Sequence, residues 1–278
     1  MSMKSSLYQF LIISLLVGTV SCSKPNNYAE FTSEVRREFK VTVATTNENH
    51  YVASPYSSVT LDLKVFADNS INYLVFIDSA RNRGDAIKSV EVRLGDPITE
   101  NGTLLAVLPG KFASGYAQAI IKNLRASFID TLLNDNIPKY INVVTYAEPV
   151  GLVRGQMNSD IVFSNNVNLN GKNIIPNVPT ATTGLGLIRI TTDLMLYSKI
   201  LITNDEAADP VTGAKLFSGN VFDTGLEVLT LANSPSQLTN PKIVNLSAAQ
   251  YGQLLNAAFY INVTSATYTN GKIRGQAK

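Results

Sequence analysis

The sequence predicts an all-β protein built as two tandem β-sandwich domains. Three observations predict it. One stretch occurs twice: Tyr140-Ile-Asn-Val leads to Gly151-Leu-Val-Arg154-Gly-Gln156, and Tyr260-Ile-Asn-Val leads to Gly271-Lys-Ile-Arg274-Gly-Gln276. The separations 260 − 140, 271 − 151 and 274 − 154 are all 120, and a fixed period of that length means two copies of one domain. Around the repeat lie many short runs that alternate apolar and polar residues, the pattern of half-buried strands. Turn signals separate these runs at roughly 8–12 residue spacing, as in sandwiches.

The elements follow in order. Met1 to Ser21 reads as a secretory leader: Lys4, the apolar run Phe10–Val17, then small residues up to Ser21. The run is too short to span a bilayer comfortably. Cys22, the only cysteine of the chain, follows directly. Residues 22–38 are polar and read as a tether. The first domain is expected at 39–158 and the second at 159–278, close together because few residues separate Gln156 from Asp160.

In the first domain Lys40–Val43, Val59–Val65, Ile71–Ile77, Ser89–Leu94 and Leu104–Leu108 alternate as strands, with a tight turn at Asp68-Asn69. In the second, Val167–Gly171, Gly186–Thr191 and Leu194–Ile202 do the same. One short helix is expected per domain. Ser127 opens the first, with Phe128, Ile129, Leu132 and Leu133 on one face. Ser247 and Gln250 have capping-box spacing for the second, followed by Tyr251, Leu254 and Leu255. Each repeated stretch reads as a β-hairpin. Asn270-Gly271 signals a two-residue turn, and Pro149-Val-Gly151 a looser one. Gly155 and Gly275 mark a bulge or a close backbone approach. Many short antiparallel strands make each sandwich a Greek key of the Ig-like or superoxide-dismutase-like kind.

Composition excludes several functions. Lys and Arg number 23 against 21 Asp and Glu, a formal charge of +2 with no basic stripe, so nucleic acid is not a partner. With its one cysteine at position 22, ahead of the expected domains, the folded part has no thiol for disulfides or cysteine catalysis. The lone His50, in a polar stretch, is expected to be a solvated turn residue. It cannot build a Ser-His-acid triad without a nucleophile elbow, nor a transition-metal site alone. No P-loop or His-Glu-x-x-His occurs. No catalytic residue, metal ligand or cofactor is therefore assigned, and the protein is expected not to be an enzyme. Asp205, Glu206 and Asp209 form the one acidic cluster, expected as a solvated loop; a weak Ca²⁺ site there stays open. The conserved spacing of Tyr140, Asn142, Arg154 and Gln156 with Tyr260, Asn262, Arg274 and Gln276 marks a structural motif. An acidic ligand at the arginines is the alternative, because a guanidinium recognises carboxylates with a planar fork.

Two resemblances add to this reading. Val20-Ser21-Cys22 resembles the lipobox of bacterial lipoproteins, although Thr19 stands where that motif usually has Leu. It implies a lipid on Cys22, a membrane partner through that anchor, and a place in the bacterial cell envelope, at the outer membrane. The order Leu169-Asn-Gly171, Pro176, Thr183-Gly184, Leu196-Tyr197, Leu254-Leu255, Tyr260, Asn262 and Gly271–Gln276 resembles the CHRD domain, first described in chordin; the first half matches mainly from Leu132 onward. The resemblance implies a sandwich in an extracellular protein that binds other proteins. Members often carry His-x-His in mid-domain and a further His after Tyr-x-Asn-Val. Those positions are Glu91-Val-Arg93 and Val144 in the first copy, and Lys215-Leu-Phe217 and Thr264 in the second, so no metal is expected. The expected role is a non-catalytic binding or structural module with a protein or glycan ligand. An envelope enzyme with a degenerate metal site is the alternative. For a glycan, Tyr51, Tyr56, Tyr146 and Tyr268 would form the platform.

Overall fold

Alternation of apolar residues along short strands decides which face of each strand enters a core, and here it builds two sheets. The computed structural model describes residues 33–53, 58–77, 85–113 and 115–278. The leader, Cys22, most of the expected tether and Tyr56 lie outside the described residues.

The first sheet contains β1 (Val35–Ala44), β2 (Ser58–Phe66), β3 (Ile71–Phe76), β4 (Ile87–Leu94), β5 (Thr103–Leu108), β6 (Lys111–Ala113), β7 (Tyr116–Ile121), β8 (Lys139–Thr145) and β9 (Val153–Gln156). Their order is β5-β4-β8-β9-β1-β2-β3-β7-β6. The second contains β10 (Ile161–Asn170), β11 (Thr183–Thr191), β12 (Met195–Thr203), β13 (Val211–Ser218), β14 (Glu227–Ala232), β15 (Lys242–Asn245), β16 (Phe259–Ser265) and β17 (Ile273–Gln276). Their order is β14-β13-β16-β17-β10-β11-β12-β15. Both sheets thus share one plan: a hairpin pair, then the repeated stretch, then a three-stranded meander. They differ at the outer edge, where β6 and β7 close the first sheet and β15 closes the second.

Each sheet folds on itself around its own core. Leu61, Leu63 and Val65 of β2 and Ile71, Tyr73 and Val75 of β3 alternate inward in the first. Ile188 and Ile190 of β11 and Leu196 and Ile200 of β12 do so in the second. The corner of each sandwich is narrow. A single residue pair, Ala44↔Arg154, joins β1 to β9, and Asn170↔Arg274 joins β10 to β17. The glycine after each arginine permits this junction. A Cβ on Gly155 would stand 2.4 Å from the Thr42 carbonyl, and one on Gly275 would stand 2.4 Å from the Asn168 carbonyl. The close approach is thus the alternative realised; the ladders β8–β9 and β16–β17 run without a bulge.

Several expectations need correction. β1 starts at Val35, so the tether expected to reach residue 38 gives way to strand four residues earlier. The second domain has a further helical turn, Pro235–Leu238, besides the expected helix Ala248–Asn256 with its Ser247–Gln250 capping box. Proline at a first helical position explains the extra turn, because its fixed φ suits a helix start. Neither hairpin has a tight turn. Val143 pairs with Val153 and Val263 with Ile273, so both loops have the same length. Gly151 and Gly271 have φ of 157° and 136°, but Asn270 is not left-handed, so a two-residue primed turn cannot form.

The two sheets lie within one compact unit, residues 33–278. After β1 a single 3-10 turn, Thr45–Asn47, brings Glu48 and Asn49 against β10 and β11 of the second sheet. Asn166 donates Nδ2 to the Glu48 carbonyl at 3.0 Å, and Ser164 donates its hydroxyl to the Thr46 carbonyl. Arg189 is fully buried there and acts as the main bolt. It donates to the carbonyls of Asn165, Ile188 and Glu48, each at 2.9 Å, and to the side-chain oxygens of Asn49 at 3.0 Å and Asn166 at 2.7 Å.

Candidate functional site

Period-2 geometry puts Ile141 and Val143 of β8 into the core and Tyr140 and Asn142 on the opposite face. That outer face is nevertheless buried, because the loop from β4 to β5 lies across it. The repeated residues hold this loop down. Arg154 donates Nη1 to the Thr99 carbonyl at 2.6 Å and Nη2 to the Asp96 carbonyl at 2.7 Å. Its guanidinium carbon stands 3.5 Å from the centroid of the Tyr140 ring. The Tyr140 hydroxyl accepts from the Gly102 amide at 3.1 Å, and Gln156 donates to the Gly95 carbonyl at 2.8 Å. Asn142 donates to the Val150 carbonyl at 2.9 Å, fixing the hairpin loop.

The second domain repeats every contact on the loop from β13 to β14. Arg274 donates to the carbonyls of Asn220 at 2.7 Å and Asp223 at 3.0 Å, 3.3 Å above the Tyr260 ring. Tyr260 accepts from the Gly225 amide at 3.1 Å. Gln276 donates to the Gly219 carbonyl at 3.1 Å, and Asn262 to the Asn270 carbonyl at 2.9 Å. Burial lowers the pKa of both arginines, with the facing tyrosine as the main opposing influence. A guanidinium with this many carbonyl partners stays charged. The eight motif residues are thus loop clamps, and both arginine forks are occupied by backbone carbonyls.

The two clamped loops do different things. In the first domain, the Pro97 and Thr99 carbonyls each accept from Asn49 at 3.2 Å, and Glu100 pairs with Lys199 of the second domain at 2.9 Å. That loop belongs to the domain interface. In the second domain the loop carries Phe222, 83% exposed, at the mouth of a cleft of about 530 Å³. Lys215 and Phe217 of β13, Thr264 of β16, and Ile175, Thr269 and Asn270 line it. Phe217 stacks on Tyr260 at a centroid distance of 5.5 Å and an interplanar angle of 10°.

Strand register identifies the same place in the first domain. Arg93 pairs with Tyr140 as Phe217 pairs with Tyr260, and Glu91 pairs with Asn142 as Lys215 pairs with Asn262. There Arg93 Nε meets Glu91 Oε2 at 2.7 Å, and Nη1 donates to the Gly102 carbonyl at 2.8 Å. One copy is closed by an ion pair; the other is open and aromatic.

Residues 166–277 match the CHRD domain. This is the second sandwich, whereas the match does not extend to the first. Searches of curated proteins and of solved structures gave no match to this chain. The positions at which the CHRD resemblance would put histidines line the cleft as Lys215, Phe217 and Thr264. An ammonium paired with Glu227 at 2.7 Å, a phenyl ring and a hydroxyl do not fit a transition metal, which needs imidazole or thiolate donors. Among the described residues no group of three His, Cys, Asp or Glu side chains converges to hold a metal ion.

The acidic cluster has a different partner from the one left open by sequence. Asp205, Glu206 and Asp209 surround the buried Lys272 ammonium at 3.8, 3.2 and 3.7 Å. Asp209 also accepts from the Ser265 hydroxyl at 2.6 Å and the Thr267 amide at 3.0 Å. A lysine of this domain occupies the position a Ca²⁺ ion would take. His50 likewise departs from a solvated turn. It is half-buried, with Nε2 3.1 Å from the Gly151 carbonyl and Nδ1 3.6 Å from Glu48. Of the tyrosines considered as a platform, Tyr51 and Tyr146 are exposed in the first domain and Tyr268 is half-buried in the second; none lines the cleft.

Glu48 gave no signal in the sequence. It is 3% exposed, and its Oε1 and Asn142 Oδ1 both lack hydrogen-bond partners. Both crowd Gly151, where a Cβ would stand 2.6 Å from one and 2.4 Å from the other. At the matching place in the second domain, a Cβ on Gly271 would meet Asn262 Oδ1 and the side chain of Ile174. A carboxyl therefore occupies a niche that its twin fills with a hydrocarbon. Burial raises the Glu48 pKa to about 7, against the opposing pull of Arg154 and Arg189 and with a smaller push from Glu148.

A carboxyl titrating at 4.5 when unfolded and about 7 when folded binds more protons in the native state between those values. Its folded form is favoured at low pH and loses stability as pH rises through that window, by on the order of 3 kcal/mol. Denaturant unfolding at pH 5 and pH 8 should show wild type weaker at pH 8. In Glu48→Gln that difference should shrink strongly. An equal pH dependence in both proteins would rule out Glu48 as its source.

Proposed function

We propose that this protein is a non-catalytic lipoprotein of the bacterial cell envelope, held by a lipid on Cys22 and presenting its second domain's cleft to a ligand. The observation that carries the binding role is the divergence of the two copies at one register position. The first spends that place on the Glu91–Arg93 pair; the second leaves it open, walled by Phe217 and rimmed by Phe222. A cavity of this size suits a small ligand or part of a larger one. The first domain then serves as the support: its clamped loop, with Asn49 and Glu100, faces the second domain.

The envelope location rests on the leader and its cysteine. Among the described residues no helix is long and apolar enough to cross a membrane. One acyl-modified cysteine with its tether would be the anchor. The test is fractionation of cells expressing wild type and Cys22→Ser. Wild type should pellet with membranes and withstand salt washing, and Cys22→Ser should move to the soluble fraction. A Cys22→Ser protein that still pellets and resists salt would refute the lipoprotein reading.

A further inference from the structure

We infer that the cleft of the second domain binds an uncharged carbohydrate, with Phe222 and Phe217 as the apolar faces that a sugar ring packs against. The inference rests on the cleft being the ligand site, and it adds the chemical class.

Charge is what selects the class. Each ionic side chain that lines the cleft already has a partner within the protein. Arg274 spends its fork on the Asn220 and Asp223 carbonyls, under the Tyr260 ring. The Asp223 carboxylate accepts from the Asn220 amide at 2.8 Å and its side chain at 3.0 Å. Lys215 meets Glu227 at 2.7 Å, and Glu227 also accepts from the Thr230 hydroxyl at 2.7 Å. An anionic ligand would compete with Glu227 for Lys215 and with two carbonyls for Arg274, and a cationic one would meet both of those charges.

What the cleft still offers is neutral. Phe222 presents most of its ring to solvent at the mouth, although an unpartnered phenyl gains from burial. Phe217 adds a second ring on the wall, stacked on Tyr260. The Thr269 hydroxyl and the Asn270 amide also line the cleft, together with Thr264, whose hydroxyl meets Thr212 and the Gly213 carbonyl. Apolar faces flanked by small hydrogen-bonding groups match a pyranose, which has C–H faces and a rim of hydroxyls. A purely apolar ligand would cover the Thr269 hydroxyl and the Asn270 amide without pairing them, which costs affinity.

The loop bearing Phe222 is placed by the repeated motif. Arg274, Gln276 and Tyr260 together hold Gly219, Asn220, Asp223 and Gly225. A loop held this way loses little freedom on binding, which favours affinity.

The experiment uses the full chain in detergent, screened against immobilised neutral oligosaccharides alongside sulfated and uronic-acid ones. Wild type should bind one or more neutral members. Phe222→Ala should lower that affinity about tenfold or more, the usual loss for an aromatic anchor, with an unchanged melting temperature because the ring is exposed. The double variant Lys215→Glu/Phe217→Arg installs the first copy's ion pair and should abolish binding. Binding restricted to acidic glycans, yet lost in Phe222→Ala, would overturn the neutral class and leave the cleft as the ligand site. Neutral-sugar binding that survives both variants would overturn the placement. No binding to any member would overturn the inference.

Discussion

Replacing Arg189 by alanine is expected to lower stability by about 3–5 kcal/mol, the range for buried charged networks broken on one side. The five oxygens it serves come from both domains, and two of them, the Glu48 carbonyl and Asn49 Oδ1, belong to the first. Without the guanidinium, buried acceptors at the interface lose their donors, and an unpaired buried group costs far more than a formed bond gains. The loss should also separate the domains. Calorimetry should show two resolved unfolding transitions in Arg189→Ala where wild type unfolds more cooperatively. Arg189→Lys should rescue poorly, since an ammonium cannot reach acceptors spread around a planar fork. Unchanged melting in Arg189→Ala would mean that the interface depends on other contacts.

The clamp arginines should give the second large effect. Arg274→Ala leaves the Asn220 and Asp223 carbonyls without their donor and exposes one face of the buried Tyr260 ring to a void. A loss of about 2–4 kcal/mol is expected from such a broken network. Because the freed loop carries Phe222, ligand capture should fall too. Arg154→Ala should cost a similar amount but with a different reach. Its loop supplies the carbonyls that hold Asn49, which in turn accepts from Arg189. Damage from Arg154→Ala should therefore shift the unfolding of both domains, whereas Arg274→Ala should shift the second alone. Equal, confined shifts in both variants would show that the interface does not pass through the first loop.

Glu48 acts at the same junction. Its backbone carbonyl receives Arg189 and Asn166, while its side chain lies against Gly151. Raising the pH through about 7 charges this buried group. The expected loss of stability falls on the residues that join the two domains.

The sequence alone determined the repeat, the strands other than β6, β7, β13, β14 and β15, and the capped helix, because these follow from local patterns. A spacing of 120 residues, alternation of apolar side chains and a Ser-x-x-Gln cap are all readable within a short window. The motif residues were found for the same reason, and their duplication pointed to structure. What their side chains hold was not readable. Arg154 reaches carbonyls 55 and 58 residues away, and backbone acceptors leave no mark in a sequence.

Only the tertiary structure decided the rest. Arg189 and Glu48 are 141 residues apart, and nothing in the composition near either one marks a buried interface. The acidic cluster read as a solvated loop, or a place for Ca²⁺, because its partner Lys272 lies more than sixty residues away, between Gly271 and Ile273 of the hairpin. The family resemblance already matches Glu91 and Arg93 with Lys215 and Phe217, and strand register agrees; that the first pair meets as an ion pair while the second lines a cleft is a matter of tertiary structure. Local pattern specifies which residues form strands. Long-range packing specifies which charges meet, and so which surface is left open.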